Sequence, residues 1–335
     1  MAEAAAALQG LVRVTVPAGQ SLARTHTHSV RAADRSASGS ALFLDTAHTH
    51  LVTHGALLRP LLAPGAGAPG AGPPPVRAGA TIEVFGGEHG WHTCRLLGFL
   101  DTGRSKAQAL VKALLSSQGW DQARNDAVFD VAVLAVVDGD AGALPAPPAL
   151  APWLRDAAPP PVTGTSVHVL GSPYGVYGAE LFFNVVTRGV ISSSLPLGDT
   201  SVALLMTDAP CHPGTCGAPV VLASDSLAGA PPPWPPRLVG LVLPKLARKD
   251  GQLVDLTLVL PAVILADAVK RFFGAPVSPL VRVQALGPNV APPLAQAASA
   301  TVLLSCNGSW GSGVLIRSTE KKKKRKKEKR KGKGG

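Results

Sequence analysis

Hydrophobic positions along the chain fall in short bursts separated by runs of Gly, Pro, Ser and Asp. Bursts this short, several with apolar residues at every second position, predict β-strands rather than helices. Strands are expected over 11–16, 40–44, 51–53, 80–85, 94–99 and 129–137. A second group is expected over 166–170, 181–186, 190–193, 203–207, 218–222, 238–243 and 253–260. The stretch 129–137 (FDVAVLAVV) is apolar almost throughout, with valine recurring at alternate positions, which marks a buried strand. Helical spacing occurs at 107–118 and again at 261–273, directly after the last strand of the second group.

Breaker residues divide these strands. Gly and Pro supply 36 and 31 of the 335 residues and gather in blocks at 59–79, 138–163 and 229–236. The connection at 138–163 separates two sets of strands, so the fold class expected is all-β, as two packed barrels of the six-stranded type with a C-terminal helix. The expected organisation is an extension at 1–29, a domain at 30–274, a Pro/Ala-rich linker at 275–298, a restarted strand pattern at 299–317 and a Lys-rich tail at 318–335.

The formal charge of +11 changes this picture little, because residues 320–335 hold 11 of the 32 basic and 2 of the 21 acidic residues, leaving 21 against 19 elsewhere. The body is near neutral, and its charge implies no polyanionic partner. The tail has no interleaved aromatics, so nucleic acid is not an expected partner; a binding module with a nucleic-acid-binding tail stays open as an alternative. The first ten residues have no basic segment of the kind that opens a signal peptide, and no uninterrupted apolar run is long enough for a membrane span. The four cysteines (Cys94, Cys211, Cys216 and Cys306) fit no zinc spacing, and the Cys211–His212 pair lacks a clear third ligand; no metal and no cofactor is expected.

The chemistry concentrates in Asp208-Ala209-Pro210-Cys211-His212-Pro213-Gly214-Thr215-Cys216-Gly217-Ala218-Pro219. This segment resembles the D-A-x-x-x-P-G-x-S-G-G-P nucleophile loop of trypsin-like and HtrA-like serine proteases. A glycine two residues before the nucleophile lets a backbone N–H face the developing oxyanion. Three further pieces stand in the family's order: Asp130-Val131-Ala132-Val133-Leu134, Gly171-Ser172-Pro173-Tyr174-Gly175, and Thr187-Arg188-Gly189-Val190-Ile191-Ser192. The resemblance covers about residues 30–273 and narrows to the degenerate first domain of a peroxisomal leader-peptide-processing protease family that pairs two such domains. The pattern at 302–314 (VLLSCNGSWGSGV) then resembles the opening strands of the second.

The resemblance implies a chymotrypsin-like double β-barrel and a degenerate triad of His54, Asp130 and Cys216, with Gly214 and Cys216 supplying the oxyanion hole. Cysteine replaces serine at 216, and Ala218 replaces a glycine. The histidine is the worst-matched element: counting from Thr53 as in L-T-x-x-H puts Ala56 at its place, whereas choosing His54 needs another register. The implied function is serine-type endoproteolysis in the processing of peroxisomal proteins, on peptide or protein substrates. This chain, ending about twenty residues into the second domain, is expected to be impaired alone and to pair with itself or with a catalytic domain. Residue 216 is then a vestigial small residue in a dead site; two alternatives stand beside this, an active cysteine variant using His54 and Cys216, and a non-enzymatic binding module with a basic nucleic-acid-binding tail. The family implies a peroxisomal location, although the chain ends Lys333-Gly334-Gly335 rather than in an S-K-L-type signal; without that signal it is expected to be cytoplasmic.

Overall fold

A computed structural model describes residues 8–16, 29–31, 36–63, 74–86, 90–102, 121, 127–137, 143–157, 159–196, 202–223, 236–275, 301–306 and 309–314. The first sheet contains β1 (Gln9–Thr15), β2 (Ser29–Arg31), β3 (Ser36–Phe43), β4 (His50–His54), β5 (Thr81–Phe85), β6 (Trp91–Phe99) and β7 (Val131–Val136). It runs β1-β5-β6-β7-β4-β3-β2, and an added β1–β3 pairing closes six of these strands into a barrel. The short β2 lies beside the start of β3. The second barrel is closed in the order β10-β13-β12-β11-β8-β9, from β8 (Ser166–Gly171), β9 (Val185–Pro196), β10 (Val202–Thr207), β11 (Pro219–Leu222), β12 (Leu238–Val242) and β13 (Thr257–Pro261). All pairings in both barrels are antiparallel.

The chain divides into two compact units, Met1–Leu286, which holds both barrels, and Gly287–Gly335. The second unit contains an antiparallel hairpin of β14 (Thr301–Cys306) and β15 (Ser309–Val314). Three short helices are described: α1 (Pro152–Arg155), α2 (Ala179–Phe182) and α3 (Ala262–Phe272).

The strand period of two explains how the core is laid out. On β7, Ala132 and Leu134 point into the first barrel beside Val12, Val14, Leu51 and Val84. Val131 and Val133 point the other way, into a core shared by both barrels with Leu42, Val52, Leu170, Leu241 and Leu260. That is why 129–137 is apolar on both faces. On β13, Val259 fills the second barrel with Val167, Val169, Ile191, Leu205 and Val220. Its neighbours Leu258 and Leu260 join the shared core. Helix α3 covers this shared core with Leu265, Ala266, Ala268 and Val269; burying the Leu and Val side chains contributes roughly 1.5–3 kcal/mol each. Trp153 of α1 enters the same core and donates its indole N–H to Phe43 O at 3.1 Å.

Three sequence expectations differ from what the fold contains. Residues 9–15, expected within an N-terminal extension, form β1 and move the edge of the first barrel to Gln9. The physical reason is closure: β1 pairs with both β3 and β5, which would otherwise present open edges. Strands expected at 181–186 and 190–193 are instead α2 followed by one long strand, β9. Asn184 at φ 58° breaks extended backbone, and Phe183 turns its ring against Phe85, so the strand begins only at Val185. The last strand is shorter than 253–260, because Leu253 makes only an isolated bridge to Ala247 before β13 begins. The expected helix at 107–118, the linker after 275 and the Lys-rich tail lie outside the described residues.

The barrels are joined by polar groups as well as apolar ones. Ser40 on β3 is fully buried; its hydroxyl accepts from Ser172 N and donates to Gly214 O, each at 2.8 Å. Ser40 N also donates to Cys216 O at 3.1 Å. Replacing Ser40 by Ala strands one buried N–H and one buried C=O, at a cost of roughly 2–4 kcal/mol. A lower urea midpoint with an unchanged denaturant slope is the expected result.

Candidate active site

The loop between β10 and β11 carries the nucleophile-like motif. It descends from Thr207, whose hydroxyl accepts from Ala209 N at 3.2 Å. Asp208 reaches sideways to accept from Val190 N at 2.7 Å. A tight turn then follows: Thr215 N donates to His212 O at 3.0 Å, and His212 N donates to Thr215 Oγ1 at 3.2 Å. Gly214 and Gly217 take φ values of 97° and 89°, a region that side chains disfavour. At Gly217 there is also no room, because a Cβ would lie 2.1 Å from Ser40 O and 3.0 Å from His54 N. The turn therefore rests directly on β3 and β4 of the first barrel, with Gly217 N bonded to Val242 O of the second at 2.9 Å.

Peptide planarity fixes where the amides point, since N–H and C=O of a trans unit are opposed. Pro213 O accepts from Tyr174 N at 2.9 Å, so Gly214 N–H faces away from that loop. Thr215 O accepts from Ala218 N at 3.0 Å, so Cys216 N–H also faces away. Neither amide has an acceptor from another described residue; the Cys216 N–H lies against its own sulfur. These are the two donors that the family resemblance assigns to an oxyanion hole.

Cys216 is 7% exposed. Burial pushes its thiol well above the ordinary cysteine value, Cys211 pushes in the same direction, and Lys245 pulls weakly against both. His54 is fully buried at the end of β4. Its Nε2–H donates to Ala127 O at 3.0 Å and Val128 O at 3.2 Å, and Nδ1 accepts from Ala56 N at 3.4 Å. The neutral imidazole thus bonds at both nitrogens to the turn before β7 and to its own chain. Burial holds its pKa down to about 4, against the opposing pull of Asp130 and the two carbonyls.

Asp130 is 4% exposed and sits just before β7, where its backbone O accepts from Gly55 N at 2.7 Å. Its carboxylate accepts from Arg59 Nε at 2.6 Å and from Arg59 Nη2. The structure thus brings Asp130 into the electrostatic neighbourhood of His54. The groups acting on the Cys216 thiol are a different set, Cys211 and Lys245. Ala56 lies in the single 3₁₀ turn after β4, Gly55–Leu57, three residues beyond Thr53. Thr53 Oγ1 donates to Ser40 O at 2.7 Å. Arg59 and Ser40 carry no sequence signal of their own, since each acquires its role only when distant strands meet.

Comparison with known proteins gives one family similarity: residues 97–229 match the family model of the trypsin-like peptidase domain. Over that stretch the chain is similar to a trypsin-like peptidase domain, and the fold around it contains two closed barrels. Its similarity to one particular protein is also plain. It is 33% identical over 165 residues to the peroxisomal leader peptide-processing protease of Mus musculus, and 34% identical over 165 residues to that of Homo sapiens. Each match covers 46% of this chain and 26% of the relative, so the chain spans about a quarter of the length of the curated relatives it matches. Among solved structures, the inactive form of the Rv3671c protease from M. tuberculosis H37Rv is 17% identical with a TM-score of 0.39, covering 81% of this chain and 91% of that one. The MamO protease domain from Magnetospirillum magneticum is 12% identical with a TM-score of 0.38, covering 79% and 97%.

The buried imidazole makes a prediction about pH. In the unfolded chain it titrates near 6.5, and in the folded chain near 4. Between those values the unfolded state binds a proton that the folded state excludes. The stability present above about 6.5 is therefore lost as the pH falls toward 4, by at most about 1.4 kcal/mol per pH unit. Urea unfolding at about pH 7 and about pH 5 is expected to show this loss, and a His54→Asn variant is expected to show a shallower one.

Proposed function

We propose that this chain is a trypsin-like protease module that has kept the nucleophile turn and lost turnover. Similarity of residues 97–229 to the trypsin-like peptidase family, and of the chain to a peroxisomal processing protease, supports a protease role. One observation carries the finer reading: the imidazole expected to act as base is turned to Ala127 O and Val128 O, and Ala56 stands where the motif spacing asks for histidine. Acyl transfer needs a nucleophile whose proton is taken by a base within about 2.6–3.2 Å, or a thiol already ionised. The Cys216 thiol is held protonated by burial, and His54 holds its own proton on Nε2 toward the carbonyls. The degenerate triad of His54, Asp130 and Cys216 is then a structural remnant.

The amide donors of Gly214 and Cys216 remain directed away from internal acceptors, which suits binding a peptide carbonyl without cleaving it. On this reading the module binds peptide or protein segments and supports a catalytic protease domain, in the processing of peroxisomal proteins. The test is peptide hydrolysis by the purified full chain, with and without thiol alkylation and with Cys216→Ala. Turnover indistinguishable from buffer in every case is expected. Turnover that alkylation and Cys216→Ala both abolish would overturn the proposal in favour of a cysteine protease using His54 and Cys216.

A further inference from the structure

The loop after β8 leaves a groove of about 610 Å³ against the first barrel. Arg13 and Trp91 wall it on the barrel side, and Tyr177, Glu180 and Leu181 on the side of the loop and α2. Its shape is fixed from within. Tyr177 donates its hydroxyl to Val30 O at 2.8 Å, and Gly175 sits so close to β1 that a Cβ would lie 2.5 Å from Leu11 Cδ1. The Arg13 guanidinium lies 3.9 Å from the centre of the Trp91 ring and binds Glu83 Oε2 through Nε at 3.0 Å and Nη2 at 2.9 Å. Two large apolar side chains are nonetheless left in water: Tyr177 is 58% exposed and Leu181 76%.

The backbone of this loop is already committed. The amides of Gly175, Val176, Tyr177 and Gly178 donate to Ser172 O, Ser38 Oγ, Tyr174 O and Gly175 O, at 3.4, 2.8, 2.9 and 3.2 Å. The carbonyls of Gly178 and Ala179 accept from Phe182 N and Phe183 N. An added β-strand would find no ladder here, and its own N–H groups would lose water without gaining partners. A proline-rich segment avoids that cost. Proline has no N–H, and its polyproline II backbone is extended before it binds, so its rings can lie on exposed aromatic and apolar side chains at little loss of entropy.

Charge narrows the occupant further. Arg13 is met by Glu83, whereas the exposed carboxylate of Glu180 has no partner among the described residues. The groove therefore asks for one cation beside the prolines. The chain carries that combination in Pro231-Pro232-Pro233-Trp234-Pro235-Pro236-Arg237. Arg237 is exposed, and its guanidinium has no partner among the described residues.

We infer that the groove receives residues 231–237 of a second copy of this chain. The proline and Trp234 rings pack on Tyr177 and Leu181, and the Arg237 guanidinium pairs with the Glu180 carboxylate. Each copy offers one groove and one segment, so two copies exchange segments and close into a dimer. The contact is small and its charge pair is exposed, so the association is weak and falls as salt rises. It uses neither the Cys216 thiol nor the amides of Gly214 and Cys216, and so stands or falls apart from the proposed function.

Sedimentation of the full chain in dithiothreitol, at low salt and over a range of concentrations, tests this. The mass is expected to rise from monomer toward dimer. Glu180→Arg and Arg237→Glu each place like charges across both contacts, and each is expected to weaken association about tenfold. An equimolar mixture of the two variants is expected to recover it, because every groove then faces a segment of opposite charge. Leu181→Ala is expected to weaken association as well. All three positions are exposed, so the urea midpoints of the variants should match that of the parent chain. A chain that stays monomeric at about 0.1 mM would overturn the inference. So would association indifferent to both charge reversals, or a mixture that associates no better than either variant alone.

Discussion

Everything in the site depends on the absence of one atom, the Cβ of residue 217. Ser40 O stands 2.1 Å from where that atom would be, and Thr53 Oγ1 stands 2.9 Å from it. Only glycine lets the loop after β10 lie flat on β3 and β4. Once it does, Ser40 bonds to Cys216 O through its amide and to Gly214 O through its hydroxyl. The same hydroxyl accepts from Ser172 N, so the β8 end of the second barrel is tied to the same point. Gln9 of β1 adds a bond to the Ser172 hydroxyl. One buried serine therefore registers the strand that closes the first barrel, the turn that carries the thiol, and the loop after β8.

This polar seam works because it is surrounded by a shared apolar core. Val131 and Val133 on one side and Leu241 and Leu260 on the other exclude water from the junction. An unpaired amide or carbonyl there would cost about 1–3 kcal/mol, and the Ser40 bonds spare Ser172 N, Gly214 O and Cys216 O that cost, while Gln9 Oε1 is left without a partner. The apolar core holds the barrels together without specifying a register, since such packing is non-directional. The hydrogen bonds of Ser40 supply the register. The two unmatched amides, those of Gly214 and Cys216, lie on the side of the turn away from Tyr174 N and Ala218 N.

Most of the fold is legible in the sequence, and the failures have physical causes. Alternating and doubly buried strands announce themselves because burial acts on each residue in place: 129–137 could hardly be anything else. Helix α3 is equally readable from its spacing after the last strand. The region 179–186 is not, because nothing local says that Phe183 will find Phe85 on the other barrel or that Asn184 will adopt a left-handed backbone. The strand at 9–15 reads as β-prone, yet its place in a closed barrel depends on two partners far along the chain. The tight turn at 212–217 is legible because its glycine and proline positions are fixed by backbone geometry. The surroundings of His54 are not, because its partners Ala127 and Val128 lie far along the chain.

His54 and Asp130 make bonds that the sequence does not reveal. A catalytic imidazole must keep one nitrogen available to a reacting proton, which leaves it under-bonded in the resting state. Here the imidazole is bonded at both nitrogens, and its Nε2–H holds the turn at 127–128 against the end of β4. Asp130, rather than leaving its carboxylate for an imidazolium, binds the guanidinium of Arg59. Both groups are bonded within the first barrel, and what they hold in place is the junction of β4, the 3₁₀ turn and β7. On the proposed reading, these two residues serve as fastenings of the first barrel rather than as parts of a reaction. The proposed loss of turnover then has a physical form: the side chains persist, while interactions that would poise them for reaction are replaced by interactions that stabilise the folded state.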